Sequence, residues 1–291
     1  MLIKIDMHFH SRFSDGTYSP TELVRMIRRA GLLGGVLTDH ENWQSFDEFS
    51  NVADEQGLFF TSGVEVSTMH KEDYLHLLFY CIEGLKTEAA IAVLLTNIWR
   101  LSEKRTEAML NSFRQNNLLD VTLEQVRART KTPGPFVHFS KAYKYLALNR
   151  EISFDQAREL AKKKGIEKAA FEYDKLPAAT TLIFLARKAK AKPVLAHPFH
   201  IKQIRKETDP QKMEMFLNRL LDDLQPAGLF GIEAYHPKHN PVQEEVILKV
   251  AEKRGLLITG GSDFHGELSP GVNIGDKGVS LIEFEKFLKV T

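Results

Sequence analysis

The strongest constraint on the fold is a recurring unit. A short, β-rich apolar run ends in a histidine or a carboxylate, and a helical stretch follows. The first example is the most telling. Leu2 to Asp6 run into Asp6-Met7-His8-Phe9-His10-Ser11, and Ser14-Asp15-Gly16 comes next. Side chains alternate along a strand, so His8 and His10 point to the same face. Two neutral imidazoles side by side supply half of a metal site. Asp15, one tight turn later, can add a carboxylate.

The unit then repeats. Ser19-Pro20-Thr21-Glu22 is a helix start with a cap, a proline at the first helical position and a capping-box glutamate. That helix ends at Gly31. Gly35 to Thr38 reads as a buried strand ending in Asp39-His40, and a helix over 43–56 follows. Leu58 to Thr61 is strand-like and leads into Gly63-Val64-Glu65-Val66. The next strand, Tyr74 to Cys81, carries His76. Only about seven residues separate Val66 from Tyr74, too few for a parallel crossover, so these two strands should pair as a hairpin. Helices are expected over 87–116, 122–129, 139–148, 153–164 and 177–190, with a break at Pro133-Gly134-Pro135. Alternation then resumes with strands at 194–196, 229–234 and 256–261, ending in His197, Tyr235-His236 and Ser262-Asp263-Phe264-His265. Helices at 210–224, 241–254 and 281–289 complete the pattern.

Seven strands mostly alternating with helices predict an α/β, barrel-like fold with polar groups gathered after the strand ends. A chain of 291 residues fits one such unit. The expected organisation is a barrel made of 1–98 and 186–291, interrupted by a helical insertion at 99–185. The middle is basic: from Trp99 to Lys192 there are 20 Lys and Arg against 10 Asp and Glu, leaving 19 against 28 elsewhere. That suits either a solvated helical surface or a wall facing an anion. One cysteine, Cys81, excludes an internal disulfide and suggests a reducing compartment. The longest apolar run, Ala89 to Leu95, is far short of a membrane span, and the N-terminus lacks a signal layout. The expectation is a cytoplasmic protein.

Collected, the strand-end groups are His8, His10, Asp15, Asp39, His40, Glu65, His76, His197, His236, Asp263 and His265. Burying so many titratable groups together without a cation is unfavourable. Their number exceeds the roughly four ligands of one zinc site, so two or three ions are expected. Clusters of that kind suit phosphoester hydrolysis. Glu65, with two oxygens, is the natural bridge between ions.

The segments DMHFHS, SDG, LTDHE, GVEVS, LHLL, LAHP, EAYHP and GSDFH, in this order, resemble the motifs of the PHP superfamily (polymerase and histidinol phosphatase). The resemblance covers about 1–85 and 185–275. It implies a distorted (β/α)7 barrel and nine metal ligands for up to three ions: His8, His10, Asp15, His40, Glu65, His76, His197, Asp263 and His265. Asp15, Glu65 and Asp263 would act in catalysis through the metals, which could be Zn, Mn or Fe. Asp6 and Asp39 would orient imidazoles from behind. SDGTYSPTELV, EAYHPKHNPVQ and GGSDFHG are most similar to the stand-alone bacterial branch with a helical insertion. That branch includes phosphatases of 3′,5′-bisphosphate nucleotides and exonucleases trimming short 5′-phosphorylated RNA or DNA. The reaction implied is metal-hydroxide attack on a phosphate ester.

The chain also departs from the branch. Phe136-Val137-His138 stands where Arg-Pro-His is usual, Ala191-Lys192 where Gly-Gly is usual, and Phe199-His200 where a glycine is common. Substrate contacts are expected from Arg105, His138, His200, His236 and Lys238, since a guanidinium or imidazole can grip phosphate. No Gly-x-Ser-x-Gly elbow is present, and Cys81 lacks a nucleophile's context. The competing readings are a histidinol-phosphate phosphatase, a metal-dependent amidohydrolase, and a non-catalytic module binding nucleic acid through the basic insertion.

Overall fold

Helices begin where local chemistry satisfies their first N–H groups. In a computed structural model, which describes residues 5–86, 89–134, 136–166 and 175–290, Ser19 Oγ accepts from Glu22 N while the Glu22 carboxylate accepts from Ser19 N. This capping box opens α1 (Pro20–Arg29). Helix α2 (Phe46–Glu55) starts three residues later than expected. Asn42 Oδ1 takes the Gln44 amide, and the Ser45 hydroxyl donates to Asp39 instead of capping.

The strands are β1 (Ile5–Phe9), β2 (Gly34–Leu37), β3 (Gly63–His70), β4 (Asp73–Tyr80), β5 (Lys192–Leu195), β6 (Gly231–Tyr235) and β7 (Leu257–Gly260). Residues 2–4 of the expected first strand lie outside the described residues. β1 and β2 pair in parallel. A second sheet runs β3-β4-β5-β6-β7. Within it β4 is antiparallel to both β3 and β5, and β5, β6 and β7 are parallel. The short 66–74 connection thus produces the expected hairpin, closed at His70–Asp73. Leu58 to Thr61 forms no strand; Phe59 makes only a bridge to Gly34.

Backbone hydrogen bonds link the two sheets at both margins. Glu65 N donates to Thr38 O at 3.2 Å on one side, and Asp263 N donates to His8 O at 2.8 Å on the other. Between them, Ile5, Met7, Val36, Leu78, Tyr80 and Val194 form a buried core with Phe284 and Phe287 of α10 (Leu281–Lys289).

Between β4 and β5 lie α3 (Ala89–Gln115), α4 (Leu123–Thr130), α5 (Ser140–Arg150), α6 (Phe154–Lys163) and α7 (Ala179–Lys188). The first turns of α3 and all of α7 pack over β3–β5 through Ile91, Leu95, Leu182 and Ile183. Met109, Phe113, Val126, Tyr143, Leu146 and Ile166 instead build a separate core of α3–α6. Helices α8 (Pro210–Leu224) and α9 (Pro241–Arg254) follow β5 and β6. Among the described residues, no helix is long and apolar enough to cross a membrane.

Gly261 follows β7 where it presses on β1: a Cβ there would collide with the backbone nitrogen and Cβ of His8. Gly261→Ala should therefore destabilise the protein by about 1–3 kcal/mol, seen as a lower Tm in thermal unfolding.

Candidate metal centre

The strands deliver their polar residues to one level. His8 and His10 come from the end of β1, His40 follows β2, and His197 follows β5. Asp263 and His265 follow β7, while Asp15 arrives on the loop before α1. β4 runs the other way, so its early residue His76 reaches the same level. Two of the turning points are tight. His197 (φ 22°) and Asp263 (φ 51°) hold positive φ, a conformation uncommon outside glycine and typical of constrained sites.

Three groups of side chains converge closely enough to share a cation: His8, His10, Glu65 and Asp263; His40, Glu65 and His76; and His10, Asp15, His40 and His265. Glu65 is almost fully buried. Its Oε2 lies 3.2 Å from His8 Nε2 and 3.1 Å from His10 Nε2. Its Oε1 lies 2.8 Å from His76 Nδ1 and 2.9 Å from His197 Nε2. The two oxygens therefore face different histidine pairs. Asp263 Oδ1 joins the first set, 3.4 Å from His8 Nε2. Asp15 Oδ2 is 3.2 Å from His265 Nε2 and 3.7 Å from His40 Nε2.

These contacts fit metal ions better than protons. His8 Nε2 and His10 Nε2 face one another at 3.2 Å, a gap that holds one proton at most, so at least one lone pair points inward. His8 Nδ1 is engaged by Glu233 Oε1 at 2.9 Å, which orients the ring and sends Nε2 toward the centre. His265 Nδ1 is likewise 2.7 Å from the Asp263 carbonyl, turning Nε2 to Asp15. The buried Nδ1 atoms of His10, His40 and His76 have no hydrogen-bond partner. His76 Nδ1 is close to Glu65 but misaligned for a hydrogen bond. Buried nitrogens without partners are costly unless a cation takes their lone pairs.

Electrostatics give the same picture. Burial alone would raise Asp15, Glu65 and Asp263 and lower His8, His10 and His76. The facing opposite charges outweigh burial in each case. His265, His40 and His138 hold Asp15 well below the ordinary carboxylate range, and His76, His40 and His8 do so for Glu65. Asp263 is held down by His265 and His8. Asp263 and Glu65 together lift His10 to about 10. Without metal, then, protonated imidazoles facing these carboxylates would carry part of the charge balance.

The expected supporting groups behave differently from the reading of the sequence. Asp6 accepts backbone N–H groups from His8, Ser262 and Gly275, and burial raises it to about 6. Asp39 accepts Ser11 N and the hydroxyls of Ser11, Ser14 and Ser45. Both tie down backbone turns and neither bonds an imidazole. The carboxylate that does so is Glu233, which also accepts the His197 amide at 2.8 Å. It sits inside the apolar 229–234 run, where a buried carboxylate was the available signal. Lys141, also unexpected, is buried on α5 and donates to Gly16 O at 2.6 Å, fastening the Asp15 turn to the insertion. Burial lowers its pKa to about 7.

The expected substrate contacts surround the centre. His138 stacks on His40 with ring centroids 5.2 Å apart, and its Nδ1 is 3.8 Å from Asp15 Oδ2. The Arg105 guanidinium lies 3.5 Å above the Phe139 ring. His200 stacks on His197 at 4.5 Å. Lys238 lines a cavity with Asp15, Asp263 and His265. His236 is 1% exposed. Its Nδ1 accepts the Lys238 amide, and Nε2 reaches Asp263 Oδ2 at 3.3 Å. Both of its nitrogens are thus engaged within the protein, one of them by Asp263.

Two outcomes follow. Glu233→Gln should weaken metal binding about 10–100-fold, measured by metal titration. The metal-free protein should lose stability as pH rises. His8, His10 and His76 are all raised, so their contribution is fully present below the unfolded value near 6.5 and is lost through their folded values, about 10 for His10. This loss outweighs the opposite contribution of the lowered Lys141. Thermal melts of chelator-treated protein between pH 6 and 10 should show a falling Tm.

Against known proteins, the PHP domain family matches residues 6–230. A 5′-3′ exoribonuclease of Haemophilus influenzae is 26% identical over 293 residues, covering 99% of this chain and all of that one. A 3′,5′-nucleoside bisphosphate phosphatase of Chromobacterium violaceum is 26% identical over 289 residues, covering 94% and 91%. A solved structure from Bifidobacterium adolescentis, provisionally described as a metal-dependent phosphoesterase, shares the fold with a TM-score of 0.84 at 24% identity, covering 99% and 96%. With a family match spanning most of its length, and strand ends that converge on a metal-competent cluster, the chain belongs to the PHP domain family.

Proposed function

We propose that the protein is a metal-dependent phosphoesterase acting on a nucleotide of the 3′,5′-bisphosphate type or on a short 5′-phosphorylated oligonucleotide. His8, His10, Asp15, His40, Glu65, His76, His197, Asp263 and His265 hold two or three divalent ions. One observation carries this reading: the two oxygens of buried Glu65 face separate histidine pairs, a set of donors that would serve more than one cation. When bound, the ions supply a nucleophile from water at neutral pH and neutralise phosphoryl oxygens. The mixed nitrogen and oxygen donors suit Zn, Mn or Fe.

The chain's own residues do the rest. Glu233 and the Asp263 carbonyl orient His8 and His265, and His236 fixes Asp263. His138, kept neutral chiefly by burial, and the nearby Arg105 form an insertion-side wall for an anionic ester. The relatives' names support a nucleotide-related substrate. The backbone bonds joining the sheets at both margins support reading them as one distorted (β/α)7 barrel, formed by 1–98 and 186–291 and interrupted by the insertion at 99–185. The single cysteine supports a reducing, cytoplasmic setting.

The deciding assay is phosphate release from adenosine 3′,5′-bisphosphate by Mn-loaded protein. Wild type should release phosphate, and Asp263→Asn should be at least about 100-fold slower. No release by metal-replete wild type would reject the nucleotide assignment. Arg105→Ala and His138→Ala should each raise KM about tenfold with metal content unchanged; an unchanged KM in both would remove them as substrate contacts.

A further inference from the structure

The β3-β4 hairpin carries both Glu65 and His76. Its antiparallel register sets Ser67 directly across from His76, and Met69 across from Tyr74. Side chains two apart on a strand share a face, so Glu65, Ser67, Tyr74 and His76 stand on one side of the hairpin. Their polar atoms form a chain. Ser67 Oγ lies 3.0 Å from Tyr74 Oη, Tyr74 Oη lies 2.7 Å from His76 Nε2, and His76 Nδ1 lies 2.8 Å from Glu65 Oε1. The two rings also meet edge-on, with centroids 5.0 Å apart and planes at 78°. His76 is turned differently from its neighbours. His8, His10, His40, His197 and His265 bring Nε2 to the carboxylates, whereas His76 brings Nδ1. A half-turn of its ring would put Cε1 against the Tyr74 hydroxyl and Cδ2 against Glu65. The hydroxyl therefore selects both the orientation of the ring and the nitrogen that faces the centre.

We propose that Tyr74 is a positioning residue of the metal centre: its hydroxyl accepts Nε2–H of His76, donates its own O–H to Ser67 Oγ, and so leaves the Nδ1 lone pair of His76 free for a cation beside Glu65. A hydrogen bond behind a metal-bound imidazole fixes its tautomer and raises its basicity. Glu233 stands in that place for His8, and the Asp263 carbonyl for His265. At His76 the acceptor is a phenol from the same strand, two residues away. The Tyr74 ring is half-buried and borders a cavity of about 680 Å³ together with His200 and Lys202. Loss of the hydroxyl would expose the outward nitrogen of His76 to that space. The assignment rests on the reading of His76 as a ligand, and adds the group that makes it one.

The test is a double-mutant cycle read by metal affinity. Zn is withdrawn from the Zn-loaded full chain by chelator competition in wild type, Tyr74→Phe, His76→Ala and the double variant. Tyr74→Phe keeps the ring and removes only the hydroxyl. It should weaken the ion held through His76 about 10–100-fold. In the His76→Ala background the same change should alter Zn affinity by less than about twofold, because the group it supports is gone. Wild type alone gives a second readout that needs no variant to fold: nitrogen-correlated NMR of the Zn-loaded protein should find the His76 proton on Nε2. Tyr74→Phe that holds Zn as tightly as wild type overturns the role. So does an equal loss in the His76→Ala background, or a His76 proton on Nδ1. His76→Ala that keeps every ion at wild-type affinity removes His76 from the ligand set, and the role with it. Phosphate release is assayed separately. Coupled Zn affinities without any turnover uphold the positioning role and reject the phosphoesterase, whereas turnover with uncoupled affinities does the reverse.

Discussion

Burying the Glu65 carboxylate is the constraint on which the rest of the site depends. An isolated buried carboxylate would be strongly disfavoured. This one is tolerated because three strands bring imidazoles to it from two directions. His8 and His10 reach one oxygen from β1, and His76 and His197 reach the other from β4 and the end of β5. That arrangement requires the β3-β4 reversal. A uniformly parallel sheet would place an early residue of β4 at the opposite end from the centre.

Support for the centre is layered. Glu233 orients His8 and receives the His197 amide. Asp6 and Asp39, each accepting several N–H or O–H groups, fasten the chain turns from which the clustered histidines and carboxylates project. Hydrogen bonds to ionised groups are among the stronger ones, so these carboxylates give the loops a rigidity that loops ordinarily lack. Lys141 extends the same logic to the insertion by binding the carbonyl of Gly16, next to Asp15. A ligand loop is thereby coupled to helices that have their own hydrophobic core.

The basic excess between Trp99 and Lys192 can be divided with the structure in hand. Lys162 to Lys164 at the end of α6 are exposed. Lys141 is buried and structural, while Arg105 and Arg158 border the centre and its neighbouring cavity. Few of the residues that produce the basic excess therefore stand near the centre.

Much of this protein was legible in its residues. A capping box and a proline marked α1 because these signals act within a few residues of where they are written. The histidines and carboxylates at strand ends stood out because strand periodicity sends alternate side chains to one face. The order of those motifs also carried the family. What the sequence could not supply depended on distant segments meeting. Glu233 looked like an ordinary residue of a strand until the fold brought its carboxylate within 2.9 Å of His8 Nδ1. The contact of His236 with Asp263 likewise joins segments far apart in the chain. The division of Glu65 between two histidine pairs arises only from tertiary packing. Hydrogen-bond partners and shared cavities are set by three-dimensional proximity, which local pattern does not encode.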